Sequence, residues 1–252
     1  MEPPRIVIVE DAGELGRVGA DLAAKAIAGR QGVSITAATG ESPMGLYAAL
    51  AAHRRSGLLE TGAVTVFQLD EYVGLAPGDR RSLLGWMRRS FLEPLGVPDE
   101  QVVALPPDGE SRQACAAFDL AIEARGGLDV AILGLGRNGH LGFNEPPSGP
   151  TAPTREVRLS EASVASNATY WPGLDVPDRA LTAGMSTILA ARRLLLIVTG
   201  ERKRQILERL LTGLPTPDLP ASLLRGLATA TILVDQTAWP EALPRPEPGT
   251  RV

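Results

Sequence analysis

The feature that most constrains this chain is an alternation of two kinds of segment. Short β-branched runs recur at Ile6–Val9, Val33–Ala37, Val64–Leu69, Val130–Leu135, Leu194–Val198 and Thr231–Val234. Each is bounded by Gly, Pro or charged residues, as buried parallel strands are. Longer stretches of helical period lie between them. In ELGRVGADLAAKAIAGR (14–30), Leu15, Val18, Leu22 and Ala26 fall at i, i+3, i+7 and i+11. PMGLYAALAAHRRSG (43–57) opens on Ser-Pro, which reads as an N-cap followed by proline at the first helical position. ERKRQILERLLTG (201–213) ends on glycine, a usual helix stop. Strands that alternate with helices predict an α/β fold around a mostly parallel sheet flanked by helices. No internal repeat or change of composition divides the chain, so one domain is expected over residues 1–238. A proline-rich tail spans 239–252, of which PEALPRPEPGTRV (240–252) has little to bury and is expected to fray.

Composition narrows the functional classes. With 44% hydrophobic and 21% charged residues, a chain of 252 can bury a core without a disulfide or metal staple. The formal net charge of −4 argues against a nucleic-acid binder, which carries a basic domain or stripe. A single cysteine, Cys115, excludes an internal disulfide framework and points to a reducing cytoplasm; it reads as an inert helix or core residue. No apolar run reaches the roughly 20 residues that cross a bilayer, and the N-terminus lacks the pattern of a secretory signal.

In an open α/β sheet, ligands bind beyond the carboxyl ends of the strands, and four strand ends carry suggestive residues. ATGESP (38–43) is a glycine turn running into a helix start, where free N–H groups and a hydroxyl meet the positive end of the helix dipole. It serves equally as a phosphate site or as a plain helix cap, and it is not the nucleotide-binding loop G-x-x-x-x-G-K-[ST]. FQLDEYVGL (67–75) ends a strand on two acids that an extended backbone sends to opposite sides. Partly desolvated, one of them can take a proton from carbon beside a carbonyl; taken alone, the pair reads as readily as a cap or a solvated turn.

GLGRNGHLGFNEP (134–146) is the most specific stretch. A buried strand enters a glycine turn and delivers His140, which titrates near neutrality and can both give and take a proton. Asn138 and Glu145 are the nearby groups able to fix its tautomer. A core histidine held by backbone is the plainer reading, but the flanking glycines favour chemistry. His53, the other histidine, sits among arginines near a helix end and reads as a surface residue. VTGERKRQ (198–205) repeats the strand–glycine–helix order. Most of its charges read as a solvated face, with Arg202, Lys203 or Arg204 in reach of a phosphate at the ATGESP loop.

Taken together, these loops resemble the glucosamine-6-phosphate deaminase/isomerase family, part of the wider glucosamine/galactosamine-6-phosphate isomerase group related to 6-phosphogluconolactonase. The resemblance runs from about residue 5 to residue 236. It rests on FxxDEYVGL and GLGRNGHLGFNEP, joined by TG-E-SP (39–43), TGERK (199–203) and PASLL (220–224). It implies a Rossmann-like sheet and a cofactor-free, metal-free isomerisation of a hexosamine 6-phosphate with loss of ammonia, giving fructose 6-phosphate from glucosamine 6-phosphate. It implies Asp70 as the base between C2 and C1, and His140 as the ring-opening shuttle tuned by Glu145 and positioned by Asn138. Thr39, Gly40, Ser42 and Lys203 match phosphate-binding positions, and Glu71 is expected among the substrate-binding residues. The expected partner is a small phosphosugar rather than nucleic acid or membrane, and the family includes homo-oligomers as well as monomers.

Two departures stand out. Asn138 replaces an aspartate of the enterobacterial-type enzymes. In SNATYW (166–171), Thr169 stands where those enzymes carry a phosphate-binding arginine, a loss that typically costs about 1.5–3 kcal/mol. Lys203 with Arg202 or Arg155 compensates, or the substrate sits differently. The second departure is shared with the galactosamine-6-phosphate branch, so tagatose 6-phosphate is a rival product. A 6-phosphogluconolactonase and a non-catalytic sugar-phosphate sensor are further alternatives. The lactonase carries Asp before Gly-His and no Asn-Glu-Pro after it, and the sensor predicts damage at Asp70, His140 or Glu145.

Overall fold

The computed structural model describes residues 2–30, 32–76, 78–105 and 112–245. The strands are β1 (Arg5–Val9), β2 (Val33–Ala37), β3 (Val64–Gln68), β4 (Asp70–Tyr72), β5 (Val102–Val103), β6 (Val130–Gly134), β7 (Arg155–Arg158), β8 (Arg179–Thr182), β9 (Arg193–Val198) and β10 (Ala230–Asp235). The helices are α1 (Ala12–Ile27), α2 (Met44–Arg55), α3 (Leu83–Met87), α4 (Glu93–Leu95), α5 (Arg112–Glu123), α6 (Glu161–Ala168), α7 (Met185–Leu189) and α8 (Arg204–Thr212). Seven strands form one parallel sheet in the order β1-β10-β9-β6-β2-β3-β5. The expected α/β fold is therefore present as a single sheet-centred unit.

The order dictates where a ligand goes. From β2 the chain winds outward through β3 to β5. It then returns to β6 on the other side of β2 and winds the opposite way through β9 and β10. The loops leaving β2 and β6 diverge, and a crevice opens between them at the switch point. The strands end nearly flush there, with Ala37 paired to both Gln68 and Ile132, and Gly134 paired to Ile197.

The core explains why these strands are continuously apolar. Val33, Ile35, Val66, Val130, Ile132 and Ile197 pack under α1 and α2, while Phe67, Leu133, Leu196 and Val234 pack under the opposite layer with α5 and α8. Helices α1 and α2 approach so closely that a Cβ on Gly16 would lie 2.8 Å from the Gly45 carbonyl carbon. Only glycine allows that contact.

Three expectations are corrected. The third strand stops at Gln68, and Asp70–Tyr72 joins a separate antiparallel sheet in the order β4-β8-β7. Three-residue β4 is too short to show a period in sequence. Helix α2 begins at Met44, with Pro43 at the N-cap and no side-chain cap, so Ser42 is not a capping residue. The tail does not fray where expected. Trp239 is buried in the main core, its indole donates to the Leu243 carbonyl at 3.3 Å, and Arg204 pairs with Glu241 at 2.6 Å. Proline richness concealed one large aromatic anchor. Residues 246–252 lie outside those described.

Candidate active site

One cavity sits on the switch point. It is lined by Thr39, Gly40 and Ser42 from the loop after β2, by Asp70, by Asn138 and His140 after β6, and by Lys203 after β9. The sequence-predicted residues therefore converge, with two qualifications below.

Asp70 opens β4 opposite Thr182 and is only 6% exposed. Burial first, and then the charge of Glu71, push its carboxyl up to about 7. Such a group is a base poised near neutrality rather than a permanently ionised carboxylate. Glu71 points the other way, as the pleat requires. Its carboxylate accepts from the backbone N–H of Tyr72, Leu83 and Leu84, from the Ser82 hydroxyl and from the Gln68 amide, at 2.9–3.1 Å. Glu71 is outside the cavity and caps α3, which overturns its placement with the substrate-binding residues. Gln68 also donates to the Asp70 carbonyl at 2.9 Å, so this buried amide fixes both acids.

His140 is held by a relay built from the same turn. Its Nδ1 faces the Glu145 carboxylate at 3.7 Å, and these two buried atoms have no hydrogen-bond partner. Burial lowers the imidazole pKa, the Glu145 charge opposes that, and Lys203 adds to it. Neither hydrogen bond of the Asn138 side chain goes to the imidazole. Its amide donates to Glu145 at 2.5 Å, and its oxygen accepts the His140 backbone N–H at 3.2 Å. Asparagine suits this place because an aspartate would set one carboxylate against another. Gly136 is required too, since a Cβ there would meet the imidazole at 2.2 Å.

Glu145 is fixed from behind. The Phe143 N–H donates to the Thr182 hydroxyl at 3.0 Å, and fully buried Asn144 donates to the carbonyls of Leu141 and Ala183, both at 2.9 Å. The small antiparallel sheet thus holds Asp70 and, through Thr182, the segment carrying Glu145.

Two cations reach the anion end. Lys203 donates to the Leu135 carbonyl at 2.6 Å. Burial and the neighbouring Arg137 depress its ammonium to about 8, against the opposing charge of Glu41. Arg137 lines the same cavity and forms no ion pair among the described residues. Sequence reasoning passed over it as part of a turn, although a cation flanked by glycine after a strand was a usable signal. Neither candidate compensator for Thr169 fits. Arg155 is committed to the Asn144 and Ser148 side chains at 2.8 Å, and Arg202 is outside the cavity. Thr169 itself is exposed, and its hydroxyl is turned back to the Ser166 carbonyl at 2.7 Å. Among the described residues no group of His, Cys, Asp and Glu is arranged to hold a metal.

Residues 12–233 match the family model of glucosamine-6-phosphate isomerases/6-phosphogluconolactonase. The chain belongs to this family. Its relatives include a glucosamine-6-phosphate deaminase of Streptomyces coelicolor, 38% identical over 238 residues that cover 92% of this chain and 90% of the relative. Glucosamine-6-phosphate deaminase 2 of Bacillus subtilis is 33% identical over 240 residues, covering 93% and 96%. A solved monomeric glucosamine-6-phosphate deaminase superposes with a TM-score of 0.88 at 31% identity over 93% of this chain and 98% of that one. A Thermotoga maritima 6-phosphogluconolactonase shares the family fold at a TM-score of 0.72 and 19% identity, covering 92% and 99%. As a family member the chain is an enzyme of the isomerase/deaminase type, and no helix among the described residues is long and apolar enough to cross a membrane.

Proposed function

We propose that the chain converts glucosamine 6-phosphate and water into fructose 6-phosphate and ammonia, without a redox cofactor. The observation that carries this reading is the buried Asp70 carboxyl, raised to about 7, in one cavity with His140, Asn138, Arg137 and Lys203, and with Glu145 beside the imidazole. His140 moves a proton between O5 and O1 and opens the pyranose, while Glu145 stabilises the imidazolium that forms. Asp70 then takes the proton from C2 and returns it to C1. C2 is oxidised as C1 is reduced, so electrons balance within the sugar. The resulting C2 imine adds water and expels ammonia. Asp70 in its ionised form is the competent base, and its raised pKa makes it strong enough for carbon acid chemistry. Thr39, Gly40, Ser42, Lys203 and Arg137 hold the phosphate, and the guanidinium of Arg137 takes the part that Thr169 does not play.

The phosphosugar substrate and the lone thiol suit a reducing cytoplasm. Galactosamine 6-phosphate, the C4 epimer, is the second substrate to test, because Thr169 leaves the phosphate held from a different side. The experiment is ammonia release from each sugar without added cofactor. Release from glucosamine 6-phosphate is expected. Release only from the C4 epimer replaces the substrate, and silence with both beside hydrolysis of 6-phosphogluconolactone replaces the reaction.

A further inference from the structure

We propose that the chain carries a second anion site, at the starting ends of the main sheet's strands, opposite the strand ends that bear the reaction cavity. It takes a small phosphate-class anion bearing two or more negative charges. A cavity of about 570 Å3 lies there between α1 and the first residues of β1, β9 and β10. Five cations line it, Arg5, Lys25, Arg30, Arg192 and Arg193, and no carboxylate does.

The cleft is built by register. Arg5 pairs with Thr231 across β1 and β10, and Thr231 pairs with Leu195 across β10 and β9. Register partners project to one face of the sheet, and Arg193 joins them two residues before Leu195. Leu22, Lys25 and Ala26 present one side of α1 to that face at i, i+3 and i+4. The apolar residues form the floor and roof, and the cations form the rim.

Asp129 pairs with two of the five and leaves the other three without an acid. Asp129 is buried and already shared, with Arg30 at 2.6 Å, Arg192 at 3.5 Å and the Ser34 N–H at 2.9 Å. Arg192 also donates to the Gly126 carbonyl at 2.9 Å. Arg5, Lys25 and Arg193 form no ion pair among the described residues. Three uncommitted cations thus converge on one concavity of a chain whose net charge is −4. A concave surface of one sign focuses its field on a counter-ion, and guanidinium groups match phosphate oxygens in pairs. Hydroxyls of Thr229 and Thr231 add neutral donors at the same wall. A single concavity beside one helix, rimmed by exposed cations, fits a small anion, whereas a nucleic acid needs an extended basic stripe.

Strand β9 joins the two sites, running from Arg193 in this cleft to Val198, next to the loop that bears Lys203. They are nevertheless separable by mutation. Calorimetric titration of the full chain with pyrophosphate, inorganic phosphate and glucose 6-phosphate distinguishes an inorganic from an organic occupant. Wild type is expected to bind pyrophosphate at two sites. The double variant Arg5→Ala/Arg193→Ala loses one of them by at least about tenfold in affinity, keeps its melting temperature and keeps its KM for the phosphosugar. Lys203→Ala removes the other site alone. Binding at one site only, abolished by Lys203→Ala and untouched by the double variant, overturns the proposal while leaving the reaction cavity intact. Displacement of pyrophosphate from this cleft by a short DNA duplex at lower concentration also overturns it, in favour of nucleic acid. Charge reversal at Arg193→Glu, at a strand start where it is exposed, repeats the test if the double variant is unstable.

Discussion

Replacing Asp70 by Asn should abolish turnover and stabilise the protein, by an amount that depends on pH in a calculable way. The carboxyl is buried at 6% exposure, and burial lifts its pKa to about 7 from the ordinary aspartate value of 3.8. A raised folded pKa means that the native state binds the proton more tightly than the unfolded chain does. Below about pH 4 both states are protonated and the aspartate costs nothing. Between 4 and 7 the unfolded chain releases the proton and the native state does not, so stability falls by about 1.4 kcal/mol per pH unit. Above 7 both are ionised and the full penalty stands, about 4 kcal/mol from three pKa units. Asparagine has nearly the same shape and no charge to desolvate. Its gain over wild type should therefore be about 2 kcal/mol at pH 5 and about 4 kcal/mol at pH 8.

Urea denaturation of both proteins at pH 5, 6.5 and 8, with equal m-values, measures this gain. An amide left without partners adds a penalty of about 1–3 kcal/mol, but that term does not vary with pH. The difference between pH values therefore isolates the charge. A gain that is flat across this range, or a variant that becomes relatively less stable as pH rises, refutes the claim that Asp70 is held as a desolvated base.

Four further outcomes follow from the same geometry. The kcat/KM profile should be a narrow bell, rising through about pH 7 as Asp70 ionises and falling above about pH 8 as Lys203 loses its proton; a plateau extending to pH 9.5 contradicts the second assignment. Arg137→Ala should raise KM at least about tenfold with a modest effect on kcat, and Arg137→Lys should restore part of it, measured by initial rates. Asn138→Asp sets a carboxylate beside Glu145, where 2.5 Å now separates amide from acid; it should lower kcat and shift the pH profile, whereas a faster enzyme with an unchanged profile opposes the positioning role. Glu71→Ala strips an acceptor from two backbone N–H groups of α3, so unfolding should become easier by about 2–5 kcal/mol while KM of the folded fraction is retained.

Much of the main sheet was legible because buried parallel strands announce themselves as apolar runs between turn residues. All six expected strands coincide with observed strands to within one residue at each end, and one small overrun is instructive. Val64–Leu69 overran because apolar Leu69 continues the pattern, while the backbone turns there to start a second sheet. That sheet was invisible, since β4 has three residues and β7 reads Arg-Glu-Val-Arg, a half-exposed strand with one apolar side chain. Yet this sheet orients Asp70 and, through Thr182, the segment before Glu145, so sequence identified these side chains but not what aims them.

The same division separates Asp70 from Glu71. Adjacent acids are interchangeable in a motif, and the pleat alone sends them apart without saying which faces the cavity. Burial cannot decide, because both are nearly inaccessible. Hydrogen bonding does: Glu71 accepts five donors, from Gln68 at the end of β3, from Tyr72 beside it and from Ser82, Leu83 and Leu84 at the start of α3. Asp70 faces the cavity without such partners, and burial raises its pKa to about 7. A carboxylate satisfied by donors is a structural anion, and a carboxylate desolvated without them is a base. The two acids carry opposite assignments for that reason, and exchanging their surroundings, not their identity, would exchange their roles.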